Sequence, residues 1–529
     1  MCNLSNTRRQ KLLFGLFCLL SGALSNPLVF KTVSLATFTV PVLSALMLIC
    51  LTLAFVAFRW FFAAIIVVVY LLSGLGAYFG HYFSVLIKYD SIVWLLEVSP
   101  GEIKSFMTPV LCAWLGCAVM LAFAHIRLAS FLRRLSYGGL AWRLAACVAL
   151  SIGLQSGVAA LAKHGVGASD MPWLTTRDSV KTRNITPFSM FKVFHVLAGE
   201  MQLIHSLNSL DSLADMPFEA PPPHEQPVVI FVVGESARAD NFGINGYPRD
   251  TTPRLSREKN LINYGVARSF ATSTRRSHLG MMTDATQANP RPRRGPVIPL
   301  YNAAGFSSFT WSVQGALLSQ SAVVGNTLTA ASHVREHVKG RDHSLLPKVL
   351  QALDKPSSGG KFITLITNGS HAKYSHQYGE EFRIFTPDDY TNENMLEHLE
   401  QVRNAYDNTV LQTDDLLGRL IDMLRDRLAV LIYASDHGES LGEGGEVMHG
   451  GEGKAEHWRI PFFIWHSDAY ARQYPEIVAG LRDHVGQSIS HDHLYHTVIG
   501  LGGLRSAGVD PELDLTNRAG LSKEVKASR

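Results

Sequence analysis

The sequence predicts a bundle of about five membrane helices followed by an exported α/β sandwich built on a mostly parallel sheet. Of its 529 residues, 47% are hydrophobic and only 17% are charged, and long apolar runs concentrate in the first 162 positions. That composition is unusual for a wholly soluble protein. After residue 227, short continuous apolar runs alternate with helical stretches, which is the pattern of buried parallel strands connected by helices.

Five apolar segments near the start approach the roughly 20 residues that a membrane helix needs. They are residues 12–24, 33–58, 61–83, 107–125 and 140–161. The first is short and follows three basic residues, so it also fits a secretory signal. If it were cleaved, the other four helices would keep the same orientation.

The positions of the basic residues predict how these segments are oriented across the membrane. If all five span, one set of cationic side chains falls on a single side, whereas the 88–104 loop on the other side mixes lysine with acids. An excess of Lys and Arg marks the cytoplasmic side, so the part after residue 161 is expected outside the cytoplasm. The basic set is Arg8, Arg9, Lys11, Arg59, Arg127, Arg133, Arg134 and Arg143.

The positions of the cysteines and of the charged residues narrow the class of protein further. All six cysteines lie at or before position 147, so the exported part can form no disulfide of its own. The formal net charge is only +4, and the basic residues are dispersed along the chain. Both features argue against nucleic acid as a partner.

A linker is predicted between the two parts. The helical run at 188–207 places phenylalanines on roughly one face, which fits either an interfacial helix on the membrane or a helix packed on the soluble domain. "EAPPPHEQP" at 219–227 is typical of a linker or an extended arm. The expected domains are residues 1–162, 163–227 and 228–529.

Five buried strands and one long helix, 400–425, are predicted in the last domain. The strands are residues 227–234, 306–311, 362–367, 429–435 and 461–465. In such sheets, ligands bind at the carboxyl ends of strands. The residues that directly follow each strand are therefore the candidates for chemistry.

Two of these strand ends carry acids. Glu235 and Asp240 follow the first strand, and Asp436 and His437 follow the fourth. An acid there would also suit a helix cap, and the glycine-rich turn after Asp436 would also suit a solvated acidic loop. "TSTRRSH" at 272–278 supplies hydroxyls, Thr274 among them, and positive charge.

A threonine hydroxyl is a poor nucleophile unless a base or a metal lowers its pKa. Two acids, a histidine and a threonine oxygen match a four-coordinate zinc site of mixed oxygen and nitrogen character. Further histidines, among them His371 and His449, follow the third strand and the acidic loop. They are candidates for a second metal, for holding a phosphate, or for proton transfer to a leaving oxygen.

Five motifs, in order between about residues 228 and 466, resemble those of the phosphoethanolamine transferases. They are "VVGESARADNFGINGYPRDTTPRL", "TST" at 272–274, "GSH" at 369–371, "NAYDNTVLQTDDLLGRLIDML", and "SDHGESLGE" followed by "HG". The family comprises inner-membrane enzymes with five helices and a periplasmic domain of the alkaline phosphatase and sulfatase type. The resemblance implies a multi-pass protein of a Gram-negative inner membrane with its catalytic α/β/α sandwich in the periplasm.

The resemblance also implies roles for individual residues. Thr274 would be the nucleophile that becomes phosphoethanolaminylated, and His371 and His449 would lie beside the donor phosphate or a second zinc. Arg238 matches a signature position with either a structural role or a substrate contact, and Arg275 and Arg276 are candidate substrate-binding residues. The zinc ligands would be Glu235, Thr274, Asp436 and His437.

By this resemblance, phosphatidylethanolamine is the donor, and the acceptor is lipid A, a lipopolysaccharide core sugar or a periplasmic glucan. A phosphoglycerol transferase and a sulfatase-like phosphodiesterase share the same metal core and remain alternatives. The chain also departs from better-known family members. Phe270 and Gly280 stand where two cysteines bracket the nucleophile, and a lysine after the Trp311 strand is missing.

Overall fold

The computed structural model describes residues 2–24, 35–56, 58–82, 107–134, 142, 199, 202–203, 205–207, 209–314, 328–449 and 454–518. The chain divides into two compact units, Met1–Gly199 and Glu200–Arg529. The predicted helix at 188–207 lies largely outside the described residues.

The first unit is helical. Its described α-helices are α1 (Cys2–Leu24), α2 (Leu35–Phe55), α3 (Arg59–Tyr82) and α4 (Pro109–Leu128). Among the described residues, Arg59–Phe79 and Pro109–Leu128 are long and apolar enough to cross a membrane. Four of the five predicted segments fall on these helices. The fifth, 140–161, lies outside the described residues apart from Trp142, so the count of five stays a prediction.

A buried histidine connects three of these helices. Thr52 on α2 donates its hydroxyl proton to the Leu48 carbonyl at 2.8 Å, so its oxygen accepts from Nε2 of His125 on α4, also at 2.8 Å. Nδ1 of His125 lies 3.1 Å from the Tyr70 hydroxyl on α3. Polar groups between apolar helices are stabilised by such bonds, so this chain of hydrogen bonds helps to hold the helices together.

The second unit alternates strands and helices around one large sheet. Its strands are β1 (Phe218–Glu219), β2 (Val228–Gly234), β3 (Leu261–Arg268), β4 (Ser307–Ser312), β5 (Val334–His337), β6 (Lys361–Ile366), β7 (Ala429–Ser435), β8 (Ser440–Leu441), β9 (Val447–Met448), β10 (Arg459–His466) and β11 (Arg505–Ser506). Its α-helices are α5 (Thr274–Met282), α6 (Ile298–Ala303), α7 (Leu346–Asp354), α8 (Leu399–Leu424), α9 (Asp468–Gln473), α10 (Pro475–Asp483) and α11 (Leu494–Leu501).

The large sheet has seven strands in the order β3-β10-β7-β2-β6-β4-β5. The run from β7 to β5 is parallel, and β2 and β7 at its centre are almost wholly buried. All five predicted strands and the long helix α8 are confirmed, with bounds that differ by at most two residues. The prediction of a mostly parallel sheet holds for its centre, whereas β10 runs antiparallel to both β7 and β3.

Two strands of this sheet were not predicted, β3 and β5. β3 lies at the edge and alternates buried with half-exposed side chains, and Gly265 in its middle has a φ of +72°. Glycine in a strand weakens the strand pattern. β5 has only four residues, too few for a period to stand out.

The proline-rich stretch after residue 218 is an extended arm that packs against the rest of the second unit. Phe218–Glu219 pairs with Arg505–Ser506. The Gln226 side chain donates to the Ala304 carbonyl at 2.8 Å and accepts from the Gly360 N–H at 2.9 Å. Of the two readings of this stretch, the arm is the one that the structure supports.

Candidate metal and nucleophile site

The two acid-bearing strand ends lie side by side. β2 and β7 pair in parallel with Gly234 opposite Ser435. Glu235 and Asp436 are therefore the next residues to leave two adjacent strands, at the same edge of the sheet. The parallel register, which a sequence alone does not give, brings together two acids that are 201 positions apart.

Four of the predicted site residues meet at this edge. Oγ1 of Thr274 lies 3.3 Å from Oε2 of Glu235 and 3.3 Å from Nε2 of His437. Nε2 of His437 is also 3.4 Å from Oδ2 of Asp436 and 3.7 Å from Oε1 of Glu235. One ligand atom from each of Glu235, Asp436 and His437 lies within 4.8 Å of the others, which is close enough to hold one metal ion.

His437 is oriented for metal binding. Its Nδ1 lies 2.9 Å from the Gly438 carbonyl, so this nitrogen carries the proton and donates it. The lone pair of Nε2 then faces the cluster. A histidine that ligates a metal usually donates its other ring N–H in this way, which fixes the tautomer.

The pKa values of the Glu235 and Asp436 carboxylates are shifted in opposite directions. Burial raises the pKa of Asp436, and the neighbouring Glu235 raises it further. Burial alone would also raise the pKa of Glu235, but the nearby His437, His371 and His449 lower it to about 2. Oδ2 of Asp436 is buried and has no hydrogen-bond partner among the described residues. A buried carboxylate oxygen without a partner fits a metal ligand.

The backbone around Glu235 is held in a strained conformation. Ser236 has a φ of +54°, which is uncommon for any residue but glycine. Its N–H donates to Oδ1 of Asp436 at 2.9 Å, and its hydroxyl donates to Oε1 of Glu235 at 2.7 Å. Such strain persists where surrounding contacts over-determine the backbone, and it is common at functional sites.

A glutamine supports the second oxygen of Glu235. Nε2 of Gln314, two residues beyond β4, donates to Oε2 of Glu235 at 2.9 Å and to the Thr367 carbonyl at 2.7 Å. Both amide protons are thereby used, and the carboxylate is fixed from outside the cluster. Supporting contacts of this kind tune a metal site.

Thr274 is the first residue of α5, with Ser273 as the N-cap. The first-turn N–H groups of a helix favour negative charge and bind phosphate readily. The preceding loop is pinned at the Ala271 carbonyl, which accepts from the Ser269 hydroxyl at 2.8 Å and the Ser277 hydroxyl at 3.1 Å. The nucleophile candidate is thus both rigid and placed where an anion is stabilised.

Phe270 and Gly280, the two positions at which the resemblance implies cysteines in better-known family members, lie in direct contact. A Cβ on Gly280 would overlap the ring of Phe270, and both residues are buried. The two ends of the 270–280 segment are therefore joined by a ring packed on a glycine.

Replacing Gly280 by alanine is expected to destabilise the second unit by about 1–3 kcal/mol, because the new methyl group must displace the Phe270 ring in a packed interior. The free energy of unfolding from denaturant titration measures it. Gly295→Ala is the matched control, since its Cβ would have its nearest neighbour at 3.7 Å, and its effect is expected within about 0.5 kcal/mol of zero. Equal stability of the two variants would contradict the packing described here.

The two further histidines flank the cluster. The ring centroids of His449 and His437 are 4.0 Å apart, and Nδ1 of His449 lies 3.3 Å from Oε2 of Glu439. His371 lies in the turn after β6, close enough for its charge to lower the pKa of Glu235. Glu439 is fully buried, and that burial raises its pKa to about 7. The site thus holds carboxylates whose pKa values are shifted in opposite directions, that of Glu439 upward and that of Glu235 downward.

The three candidate arginines differ in burial and in the contacts that they make. Arg238 is buried and donates to Oε1 of Glu443 at 2.8 Å and to the Glu439 carbonyl at 3.2 Å. These contacts favour the structural role over a substrate contact. Arg275 is half-buried and Arg276 is exposed on the first turn of α5. Asp240 forms an ion pair with Arg459 at 2.7 Å and lies outside the metal cluster.

No site role was predicted from the sequence for several polar residues that lie at the site. Gln314 and Glu439 both follow strands, and that position was the available signal. His278 is buried with Nε2 unpartnered among the described residues, and burial lowers its pKa to about 4. No pattern pointed to His491, which lies 55 positions after Asp436.

Comparison with known proteins shows the family to which the chain belongs. A family model described as Sulfatase matches residues 227–504, more than half of the chain. A second model, described as Phosphoethanolamine transferase EptA/EptB, matches residues 43–168. The chain belongs to the phosphoethanolamine transferases. This family of enzymes lies within the alkaline phosphatase and sulfatase superfamily, as the resemblance predicted.

Individual members of the family match over different lengths. The phosphoethanolamine transferase EptA of Escherichia coli K12 is 26% identical over 521 residues, which are 92% of this chain and 89% of that protein. The Kdo(2)-lipid A phosphoethanolamine 7''-transferase of the same organism is 29% identical over 305 residues. That match covers 55% of this chain and 54% of the relative, so the chain aligns with about half the length of that relative.

Solved structures of the family share the fold. The integral membrane lipooligosaccharide phosphoethanolamine transferase A of Neisseria meningitidis has a TM-score of 0.77 and 25% identity, over 95% of this chain and 97% of that one. The soluble domain of the same enzyme has a TM-score of 0.52 and 30% identity, over 59% of this chain. An alkaline phosphatase-like domain after an N-terminal membrane part is therefore the family architecture.

Proposed function

We propose that this chain transfers phosphoethanolamine from phosphatidylethanolamine, through a covalent intermediate on Thr274, to a glycan or glycolipid of the bacterial cell envelope. The observation that carries the proposal is the position of Oγ1 of Thr274, 3.3 Å from both Glu235 and His437 at the start of a helix. The names of the relatives support phosphoethanolamine as the transferred group and lipid A as one acceptor class.

In the first half-reaction, Oγ1 of Thr274 attacks the phosphorus of the donor. The new oxygen–phosphorus bond forms as the bond from phosphorus to the diacylglycerol oxygen breaks. Glu235 is the proposed acceptor of the hydroxyl proton, since its Oε2 is 3.3 Å away and its pKa keeps it ionised. The N–H groups at the start of α5 stabilise charge on the phosphoryl oxygens.

The second half-reaction reverses the first. A hydroxyl or phosphate oxygen of the acceptor attacks the phosphorus on Thr274, and the threonine hydroxyl is restored. His371 and His449 are proposed to stand beside the phosphate. His371 is proposed to give a proton to the diacylglycerol oxygen that leaves in the first half-reaction and to take the proton of an attacking hydroxyl in the second, while Glu235 returns its proton to Oγ1 of Thr274. Burial lowers the pKa of His449, so this histidine is proposed to contact the phosphate as a neutral imidazole. Arg275 and Arg276, on the first turn of α5, are proposed to attract the anionic substrates.

One zinc ion is the proposed cofactor, held by Glu235, Thr274, Asp436 and His437. The donor set suits zinc, and the unpartnered Oδ2 of Asp436 supports a cation there. When bound, zinc supplies a Lewis acid that lowers the pKa of the Thr274 hydroxyl and screens the phosphoryl charge.

The membrane part has a physical reason in this scheme. A donor with two acyl chains is presented at the surface of a bilayer, so the catalytic unit must stay there. The proposed location is the Gram-negative inner membrane, with the helical unit spanning it several times and residues 228–529 in the periplasm. The two apolar helices α3 and α4 support this placement.

The test is the intact mass of the full chain, reconstituted in lipid nanodiscs with zinc and no acceptor. Phosphatidylethanolamine is expected to add one phosphoethanolamine, and phosphatidylglycerol is expected to add nothing. A phosphoglycerol adduct from the second lipid would replace the proposal by a phosphoglycerol transferase. Steady release of free phosphoethanolamine at the rate of lipid consumption would indicate a sulfatase-like hydrolase instead.

A further inference from the structure

We infer that His491 is a positioning residue for the transfer, because it ties the loop before Thr274 to the strand end that precedes Asp436. The inference rests on the proposed function, since its effect is on the reaction of Thr274. His491 lies in the short turn His491–His493, far along the chain from both segments that it joins.

One imidazole makes both connections. Nδ1 of His491 accepts the backbone N–H of Phe270 at 3.0 Å. Nε2 therefore carries the ring proton, and it donates to the Ser435 carbonyl at 2.8 Å. Phe270 is four residues before Thr274, and Ser435 directly precedes Asp436. The ring thus sets the spacing between the nucleophile loop and the end of β7.

The His491 ring takes no part in proton transfer. It is 1% exposed, and its burial lowers the pKa to about 3. Protonation would also put a second N–H against the N–H of Phe270. Both nitrogens are already used in bonds to the backbone, so the ring stays neutral at physiological pH and acts only by its geometry.

The turn that carries His491 is itself anchored on two sides. The Arg268 N–H at the end of β3 donates to the Ile489 carbonyl at 2.9 Å. The Gln287 N–H, beyond the end of α5, donates to Oδ1 of Asp492 at 3.0 Å. Because the turn is held by the Ile489 carbonyl on one side and by the Asp492 side chain on the other, the ring is restrained from following the nucleophile loop if that loop shifts.

Ser435 extends the connection to the other acid-bearing strand. Its hydroxyl oxygen accepts the Ala237 N–H at 2.8 Å, and its hydroxyl proton is directed to the His437 carbonyl at 3.1 Å. His491 therefore fastens the Thr274 loop to the residue that already joins the exits of β2 and β7. A misplacement of about 1 Å between reacting groups lowers a rate by about 100-fold.

Substitution of His491 by asparagine or by glutamine removes one of its two hydrogen bonds at a time. In His491→Asn, the side-chain oxygen stands near the place of Nδ1 and keeps the acceptor for Phe270, while the donor to Ser435 is lost. In His491→Gln, the amide nitrogen reaches the place of Nε2 and keeps that donor, while the acceptor is lost. His491→Ala loses both bonds.

If either hydrogen bond of His491 is lost, the remaining one cannot set the spacing between the Thr274 loop and the end of β7. We therefore expect all three variants to form the Thr274 adduct at the same maximal rate within about threefold, and about 10- to 100-fold more slowly than wild type. The lipid concentration at half-maximal rate is expected to stay unchanged, because the His491 ring is buried and both of its nitrogens bond to the backbone. Strong non-additivity of this kind marks residues that act as one unit.

His496→Asn is the matched control. His496 is also a buried histidine whose Nδ1 accepts a backbone N–H, from Asp510 at 3.0 Å, and burial lowers its pKa to about 4. The measurement is the time course of intact mass in zinc-loaded nanodiscs, with the unfolding temperature recorded for each protein. The control is expected to label at the wild-type rate.

Three outcomes would overturn the inference: a wild-type rate in His491→Asn, a wild-type rate in His491→Gln, or an equal loss of rate in His496→Asn. If wild type itself forms no adduct, the proposed function fails first, and this is seen before any variant is compared. A loss of rate in the three His491 variants at an unfolding temperature like that of the control would support a positioning role over a merely structural one.

Discussion

Thr274→Ala is expected to form no phosphoethanolamine adduct and to lower turnover by at least about 1,000-fold. The hydroxyl is the only atom of the side chain that reaches both Glu235 and His437, and removal of a covalent nucleophile leaves only binding and electrostatic stabilisation. Intact mass after incubation with phosphatidylethanolamine and zinc, together with the transfer rate to lipid A, measures both effects.

Thr274→Ser is the matched control, because serine keeps the hydroxyl and loses only a methyl group. Its adduct is expected to form within about tenfold of the wild-type rate. An adduct of equal yield on the alanine variant would place the covalent intermediate elsewhere. Ser273 would then be the next residue to test, since it directly precedes Thr274 at the helix N-cap.

Asp436→Asn is expected to lower zinc affinity by at least about 100-fold and to stabilise the zinc-free protein. The substitution removes a charged ligand from the cluster, and loss even of a supporting contact lowers metal affinity by 10- to 100-fold. It also removes one of two buried carboxylates that face each other without a cation. Relief of such a group is worth about 1–3 kcal/mol. Competition with a chelator and thermal unfolding measure the two effects.

The sign of the pH dependence follows from the raised pKa of Asp436. The zinc-free folded state holds this proton more tightly than the unfolded state does. The contribution of Asp436 to stability is therefore fully present below the unfolded pKa, near 4, and is lost as pH rises through the folded pKa. The gain in stability of Asp436→Asn over wild type is thus expected to grow with pH across that window.

Zinc binding has the opposite trend. The ion must displace the proton of Asp436, so wild-type affinity is expected to rise with pH over the same range. Asp414→Asn is the control, because Asp414 is a buried acid remote from the cluster that accepts the N–H groups of Arg254 and Leu255, with its pKa raised to about 7. Zinc affinity that is unchanged in Asp436→Asn would remove Asp436 from the ligand set.

The sequence predicted those elements of the second unit that carry strong local signals. Strands β2 and β7 are continuous apolar runs, and α8 is long and amphipathic, so each was found within two residues of its bounds. Glu235 and Asp436 could be named because acids that follow buried strands share one edge of a parallel sheet. Resemblance, and no pattern in the residues alone, assigned the nucleophile to Thr274.

The contacts between distant segments could not be predicted. His491 acts through hydrogen bonds to two backbone groups, which depend on the tautomer of its ring. Hydrophobic periodicity does not predict contacts of this kind. Gln314 follows a predicted strand, but nothing in its segment indicates that its side chain reaches Glu235 on another strand. Edge strand β3 was missed because the glycine in its middle and its half-exposed face weaken the period. Supporting residues depend on register and packing, which only the folded chain defines.

The contact between Phe270 and Gly280 has a consequence for how the protein matures. In a protein that carried cysteines at these two positions, the loop would be locked only after the thiols were oxidised, so its assembly would depend on an oxidising compartment. Here the same two positions are joined by a ring packed on a glycine. The loop closes as the domain folds, and its closure is independent of the redox state of the compartment.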